Sequence, residues 1–241
     1  MPGRLPVSND FPPHLHLTIT PPPANGQPVN VLILLHGLGD TNGFFTRLGG
    51  QLALPETCCV SLRGLTPLPF ELGGFHWGDD IMFDPADEGI EYDTGFAKSM
   101  KTVGQNVIED ALVKKCGYQP REIMLFGLGQ GGMAALAIAA SMPAELAGVV
   151  SVGGSSPTSV QPRLEKSRTP VLLLGGSSKT LVTMSVVDGL KGIYSDAEYH
   201  RWSKIGDGMP QNREEMLPVM RFFSRRLRSR KGVPQGSVQI G

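Results

Sequence analysis

Residues 123–140 constrain this chain more than any others. Ile123-Met124-Leu125-Phe126 is an apolar run of strand length, Gly127-Leu128-Gly129-Gln130-Gly131-Gly132 is a turn with four glycines, and Met133 to Ala140 is a run of helix-forming residues. A strand that passes within a few residues into a helix needs backbone freedom at the turn, which glycine supplies. The unit predicts an elbow strand over about 122–127 and a helix over about 130–141.

The rest of the chain repeats the alternation. Val31-Leu32-Ile33-Leu34-Leu35 and Val171-Leu172-Leu173-Leu174 are continuous aliphatic runs, the pattern of strands buried on both faces of a parallel sheet. Further strands are expected at about 57–62, 146–152 and 197–202, and helices at about 42–53, 95–116, 181–194 and 212–228. His14 to Thr20 alternates and suits an edge strand. Strands alternating with helices imply an α/β fold, a doubly wound and mostly parallel sheet with helices on both faces. We expect an N-terminal extension with the edge strand over 1–29, one α/β domain over 30–228 and a polar, flexible tail over 229–241. Residues 63–94 are irregular and rich in Gly, Pro, Asp and aromatics, and so long a loop in a compact domain usually carries function or covers a site.

Composition removes several classes. With 22 basic and 22 acidic residues the formal charge is zero, so nucleic acid is not an expected partner. No apolar stretch has the length of a membrane span, residues 1–30 hold none of signal-peptide length, and three cysteines, two of them adjacent (Cys58, Cys59), do not resemble a disulfide framework. The expectation is an intracellular, cytoplasmic protein.

At this point the chain resembles the acyl-protein thioesterase and carboxylesterase (phospholipase–carboxylesterase) branch of the α/β-hydrolases. His36-Gly37-Leu38-Gly39-Asp40-Thr41 is similar to the family's H-G-L-G-D-T segment, Gly117 to Ile123 to its G-x-x-x-x-R-I lead-in, and Phe126 to Gly132 to its G-F-S-Q-G-G elbow. The resemblance runs in order from about 30 to 225 and implies a single α/β-hydrolase domain. It also implies a Ser-Asp-His triad, and here the sequence departs from the pattern. The elbow nucleophile position is Gly129, which carries no group able to attack a carbonyl carbon. Where the family has H-G-D-x-D-P-x-V, this chain reads Gly175-Gly176-Ser177-Ser178-Lys179-Thr180-Leu181-Val182, placing Lys179 at the acid. A cation there has the wrong sign to hold an imidazolium. Where the family has G-x-x-H, the chain reads Gly206-Asp207-Gly208-Met209, and a thioether cannot take a proton from a hydroxyl at neutral pH. The resemblance places an oxyanion hole at the backbone N–H groups of Leu38 and Gln130, at the start of a helix that favours an anion.

Other candidates carry ordinary readings. Cys58 and Cys59 fall on a buried strand, and Cys116 has no evident base. Ser155, Ser156, Ser177 and Ser178 read as turn residues. His36 belongs to the oxyanion-loop motif and is structural. His14 and His16 are two ligands at most, too few for a metal. His76 and Trp77 mark a candidate pocket, and His76 is the one histidine to test as a surrogate base. The acidic residues Asp79, Asp80, Asp84, Asp87, Glu88 and Glu91 read as a solvated or partner-facing loop without metal-loop spacing. No metal or cofactor is expected. The sequence therefore predicts a pseudo-hydrolase that acts by binding a protein partner or an acyl or carboxylate ligand. The alternatives are a weak ester or thioester hydrolase with a non-standard site, and an assembly subunit with a closed pocket. Dimerisation stays open.

Overall fold

The computed structural model describes residues 3–23, 26–84, 89–161 and 164–230. The expected acidic-loop residues Asp87 and Glu88, and the tail from residue 231, lie outside the described residues.

Seven strands make one sheet: β1 (Leu17–Thr20), β2 (Asn30–Leu35), β3 (Thr57–Leu62), β4 (Ile123–Leu128), β5 (Gly148–Val152), β6 (Val171–Gly175) and β7 (Ala197–Arg201). Their spatial order is β1-β3-β2-β4-β5-β6-β7, parallel throughout except for β1, which pairs antiparallel with β3. Every residue of β2, β3, β5 and β6 is buried, which explains why residues 31–35 and 171–174 read as unbroken aliphatic runs rather than alternating ones.

The helices are α1 (Gly43–Leu52), α2, α3 (Gln130–Ser141), α4 (Met184–Ile193) and α5 (Arg213–Arg226). Helix α2 comprises Ala97–Ser99 followed without a break by Met100–Lys115, which is wound wider, with bonds such as Cys116 N–H to Ala111 O at 2.9 Å. Successive side chains of β2 serve two different cores. Val31, Ile33 and Leu35 join α2, α3 and α4 on one face, while Leu32 and Leu34 join Phe45 of α1 and Val219, Phe222 and Phe223 of α5 on the other. This is the doubly wound arrangement that the alternation predicts. All three cysteines are buried and free; burial pushes the Cys58 and Cys59 thiols up to about 12 and Cys116 to about 11, so none supplies a thiolate. Among the described residues, no helix is long and apolar enough to cross a membrane.

Parallel strands place all their C-terminal ends, and the loops that follow, on one edge of the sheet. Ligand sites of open α/β sheets form there. The loops after β2, β4, β6 and β7 carry the positions singled out above.

Candidate functional site

Gly129 separates β4 from α3 with φ 51° and ψ −120°, a backbone conformation that L side chains rarely adopt. Such geometry is strained for any other residue and characterises the elbow that presents a nucleophile above a sheet. A Cβ built on Gly129 meets nothing within 4 Å, so the position faces open space. Its neighbours differ. A Cβ on Gly127 would lie 2.2 Å from Gly131 O, one on Gly131 2.3 Å from His36 O, and one on Gly132 2.5 Å from Ser151 Oγ. Three of the four turn glycines are therefore dictated by close packing, and Gly129 by its backbone angle alone.

The loop after β2 is fixed against this elbow. The His36 ring is fully buried; its Nε2 accepts from Gly64 N–H at 2.7 Å and its Nδ1 lies 2.7 Å from Gly37 O, which it meets as a donor. Burial, reinforced by the Arg63 charge, holds this imidazole below its ordinary pKa, so it is neutral at pH 7. Trp77 joins the parts. Its Nε1 donates to His36 O at 2.8 Å, its N–H donates to Gln130 Oε1 at 2.9 Å, and its carbonyl accepts from Ser99 Oγ at 2.6 Å. Gln130, also fully buried, donates through Nε2 to Tyr92 O at 3.1 Å. A hairpin formed by Thr66–Pro67 and Phe75–His76 completes the clamp: Gly39 N–H donates to Phe75 O and Phe75 N–H to Asp40 O, both at 3.0 Å.

Within this frame two backbone donors are left over. Gln130 is the first residue of α3, so its N–H has no intrahelical acceptor. Among the described residues neither it nor the Leu38 N–H reaches a protein acceptor. These are the two groups that the resemblance names as an oxyanion hole.

The side-chain chemistry differs. Lys179 is exposed in a left-handed turn (φ 48°). Buried Val182 anchors the residues just beyond it. Met209 packs against the core cluster that contains Phe126, Trp202 and Phe222. The two loops lie side by side, with Gly206 N–H to Ser178 O at 2.9 Å and Ser177 N–H to Lys204 O at 2.7 Å. Gly153 and Gly154 link them to the elbow: Gly153 abuts Asp207, and a Cβ on Gly154 would sit 2.5 Å from Gly129 O. The fold therefore gathers the loops carrying positions 129, 179 and 209 on one edge of the sheet, where these three residues bring no hydroxyl, carboxylate or imidazole.

Two residues here escaped the sequence reading. Asp207 accepts from Gly176 N–H with one carboxylate oxygen and from Leu181 N–H with the other, both at 2.8 Å, so a carboxylate braces the turn that carries Lys179. The signal was present: it stands two residues before Met209. Lys204 stacks over Trp202 at 4.1 Å and donates to Gly208 O, Met209 O and Glu215 Oε2 at 2.7, 2.9 and 2.8 Å. These bonds tie the Met209 loop to α5, and the Lys204 bond holds the Glu215 carboxyl below its ordinary value.

His76 and Trp77 are both buried side chains. The His76 Nδ1 has no partner among the described residues, and burial together with the charge of Lys98 lowers its pKa. Of the acidic loop residues, Asp79 is a cap rather than a solvated group: its carboxylate accepts from Ala97 and Lys98 N–H at 2.8 and 2.7 Å, at the start of α2. Among the described residues no group of three or more His, Cys, Asp and Glu could hold a metal. A cavity of about 1180 Å³ lies at the opposite edge of the sheet, between Gln119, Glu145, Val160 and Ile193.

Comparison with known proteins agrees with this geometry. The chain is 37% identical over 137 residues to a Schizosaccharomyces pombe protein named an uncharacterized hydrolase, covering 54% of this chain and 55% of that one. It is 35% identical over 167 residues to a similarly named Mycosarcoma maydis protein (66% and 61%), and 29% identical over 132 residues to acyl-protein thioesterase 1 of Saccharomyces cerevisiae (51% and 56%). The matches thus span little more than half the length of these relatives. Among solved structures, esterase PE8 superposes with a TM-score of 0.70 at 20% identity, covering 88% of this chain and 99% of that one. Zea mays acyl-protein thioesterase 2 gives a TM-score of 0.63 at 20% identity, covering 88% and 98%. The phospholipase/carboxylesterase family model matches residues 19–225, and the chain belongs to that family of α/β-hydrolases.

Proposed function

We propose that this chain is a catalytically silent family member that acts by binding, holding a carboxylate or acyl carbonyl over Gly129 or engaging a protein partner on the same face. The observation that carries this reading is the open space above Gly129 beside two unspent N–H groups, Leu38 and Gln130, on a frame braced from several sides. Backbone donors at the start of a 12-residue helix stabilise an anion without any side chain. Turnover needs a nucleophile and a base as well, and Gly129 and Met209 offer neither. Exposed apolar side chains nearby on the covering loop, Phe70 (82% exposed), Met82, Phe83 and Tyr92, suit an acyl chain or an apolar partner surface. Calorimetric titration with octanoate tests the ligand-binding form. Saturable binding that is lost in Gly129→Asp, which puts a carboxylate into the same space, is the expected result; unchanged binding in that variant sinks it.

A second reading, a weak ester or thioester hydrolase with a non-standard base, is favoured by the uncommitted Nδ1 of His76 and by the hydrolase names of the relatives. His76→Ala would then abolish whatever hydrolysis the natural protein shows.

A further inference from the structure

Beside the oxyanion loop, at the edge where β1 pairs with β3, lies a cleft of about 500 Å³. Its polar lining comes from Ser8, Asn9, His16, Thr18, Asn42 and Arg63, and no Asp or Glu lines it. Arg63 directly follows β3, and its guanidinium carbon stands 4.0 Å from the centroid of the Phe75 ring. Stacking covers one face of the guanidinium plane and leaves the N–H edge to find acceptors.

That edge has found none. Among the described residues the Arg63 side chain makes no ion pair and donates no hydrogen bond, and its Nε is buried without a partner. Buried donors of charged groups are nearly always satisfied, so each exception needs an explanation. The nearby carboxylates are engaged elsewhere: Asp10 takes Arg4 Nη1 and Val7 N–H at 2.8 Å each, and Asp40 takes Thr41 N–H at 2.7 Å. A second cation stands close by, since Arg47 Nη1 lies 3.9 Å from the Cβ position of Gly43, next to Asn42. Thr18 Oγ1 accepts from Asn42 Nδ2 at 3.2 Å, which leaves its own O–H free to donate. The cleft lining thus holds the Arg63 cation, the hydroxyls of Ser8 and Thr18 and the Asn9 amide, with no carboxylate among them.

We propose that the cleft binds a phosphate-class oxyanion, with the Arg63 guanidinium as its anchor. The planar fork of an arginine matches two oxygens of such a group, and the hydroxyl and amide donors around it suit the remaining ones. The cleft exceeds a bare phosphate ion in volume, so it also has room for the organic part of a phosphomonoester. This site is separate from the space over Gly129 and does not depend on the reading proposed for it.

The test is calorimetric titration of the full chain at constant ionic strength with three probes: inorganic phosphate, glycerol 3-phosphate and acetate. Constant ionic strength removes general screening as a cause of any difference. Saturable phosphate binding is expected, weakened at least tenfold in Arg63→Gln and in Asn9→Asp. The second variant puts a carboxylate on an exposed residue at the cleft wall, and so decides the matter if Arg63→Gln fails to fold. Glycerol 3-phosphate binding more tightly than phosphate would assign a phosphomonoester, and equal binding a free phosphate. No saturable binding, acetate binding as tightly as phosphate, or variants that bind as the natural protein does would each overturn the proposal; the last would move the anion to another site, such as the start of α3.

Discussion

The two halves of the candidate site have fared differently. On the elbow side, formed by the loop after β2, the turn after β4 and the start of α3, what the chemistry of an α/β-hydrolase requires is mostly backbone. Gly127, Gly131 and Gly132 are set by contacts of 2.2 to 2.5 Å, and the Leu38 and Gln130 N–H groups point nowhere else in the described protein. On the acid–base side, formed by the loops after β6 and β7, the family resemblance asks for side chains alone, and Lys179 and Met209 stand at the positions it points to. These loops carry internal braces: the Asp207 carboxylate across the 176–181 turn, and Lys204 between Met209 and Glu215. A group that is part of the packing cannot change without disturbing the fold, whereas a side chain standing in a cleft can. On the function proposed above, this difference lets a hydrolase frame persist without a triad.

The sharpest way to break this comparison is at the glycines. Gly131→Ala drives a Cβ into the carbonyl oxygens of His36 and Leu35 at 2.3 and 2.4 Å, where no flexible side chain can yield. Overpacking against backbone is expected to cost about 3 kcal/mol in urea unfolding. Gly129→Ala meets only open space, so its cost is the left-handed backbone, about 1–2 kcal/mol. Equal losses in the two variants would contradict the division between packed and open glycines.

Next in size is the brace on the other side. Asp207→Asn keeps the shape but replaces one acceptor oxygen with an amide donor facing an N–H. A lost hydrogen bond to a charged group predicts about 2 kcal/mol, with faster amide exchange at Gly176 or Leu181. Unchanged exchange at both amides would mean that Asp207 does not hold the turn.

A smaller effect separates the halves by pH. The folded-state pKa of His36 lies below its ordinary 6.5, so the unfolded chain binds the proton more readily. Stability from this site is therefore present at neutral pH and lost as pH falls below about 6.5. Protonation of Nε2 also breaks the bond from Gly64 N–H. Glu215 is depressed below its ordinary 4.5 chiefly by the Lys204 hydrogen bond, so its contribution persists above that value and is lost only below it. Amide exchange at Gly64 should rise on acidification before exchange around Met209 does. The reverse order would contradict the assignment.

Much of this was legible in the sequence because it depends on local pattern. The aliphatic runs at 31–35 and 171–174 are buried strands, the helix after the elbow spans Gln130–Ser141, and β3 spans Thr57–Leu62. What the sequence hid is long-range. Trp77 bonds to His36 and Gln130 across 41 and 53 residues, and Asp207 to Gly176 across 31. Asp79 caps a helix 18 residues ahead. No periodicity encodes such pairings; the folded backbone creates them.

The most direct test of the central claim is steady-state hydrolysis of short- and long-chain esters and thioesters. The natural protein is compared with a variant carrying Gly129→Ser, Lys179→Asp and Met209→His. The account predicts background rates for the natural protein and a measurable gain for the triple variant, since the frame would again hold all three groups. Ordinary enzymatic turnover by the natural protein, or a folded triple variant that stays at background, would contradict it.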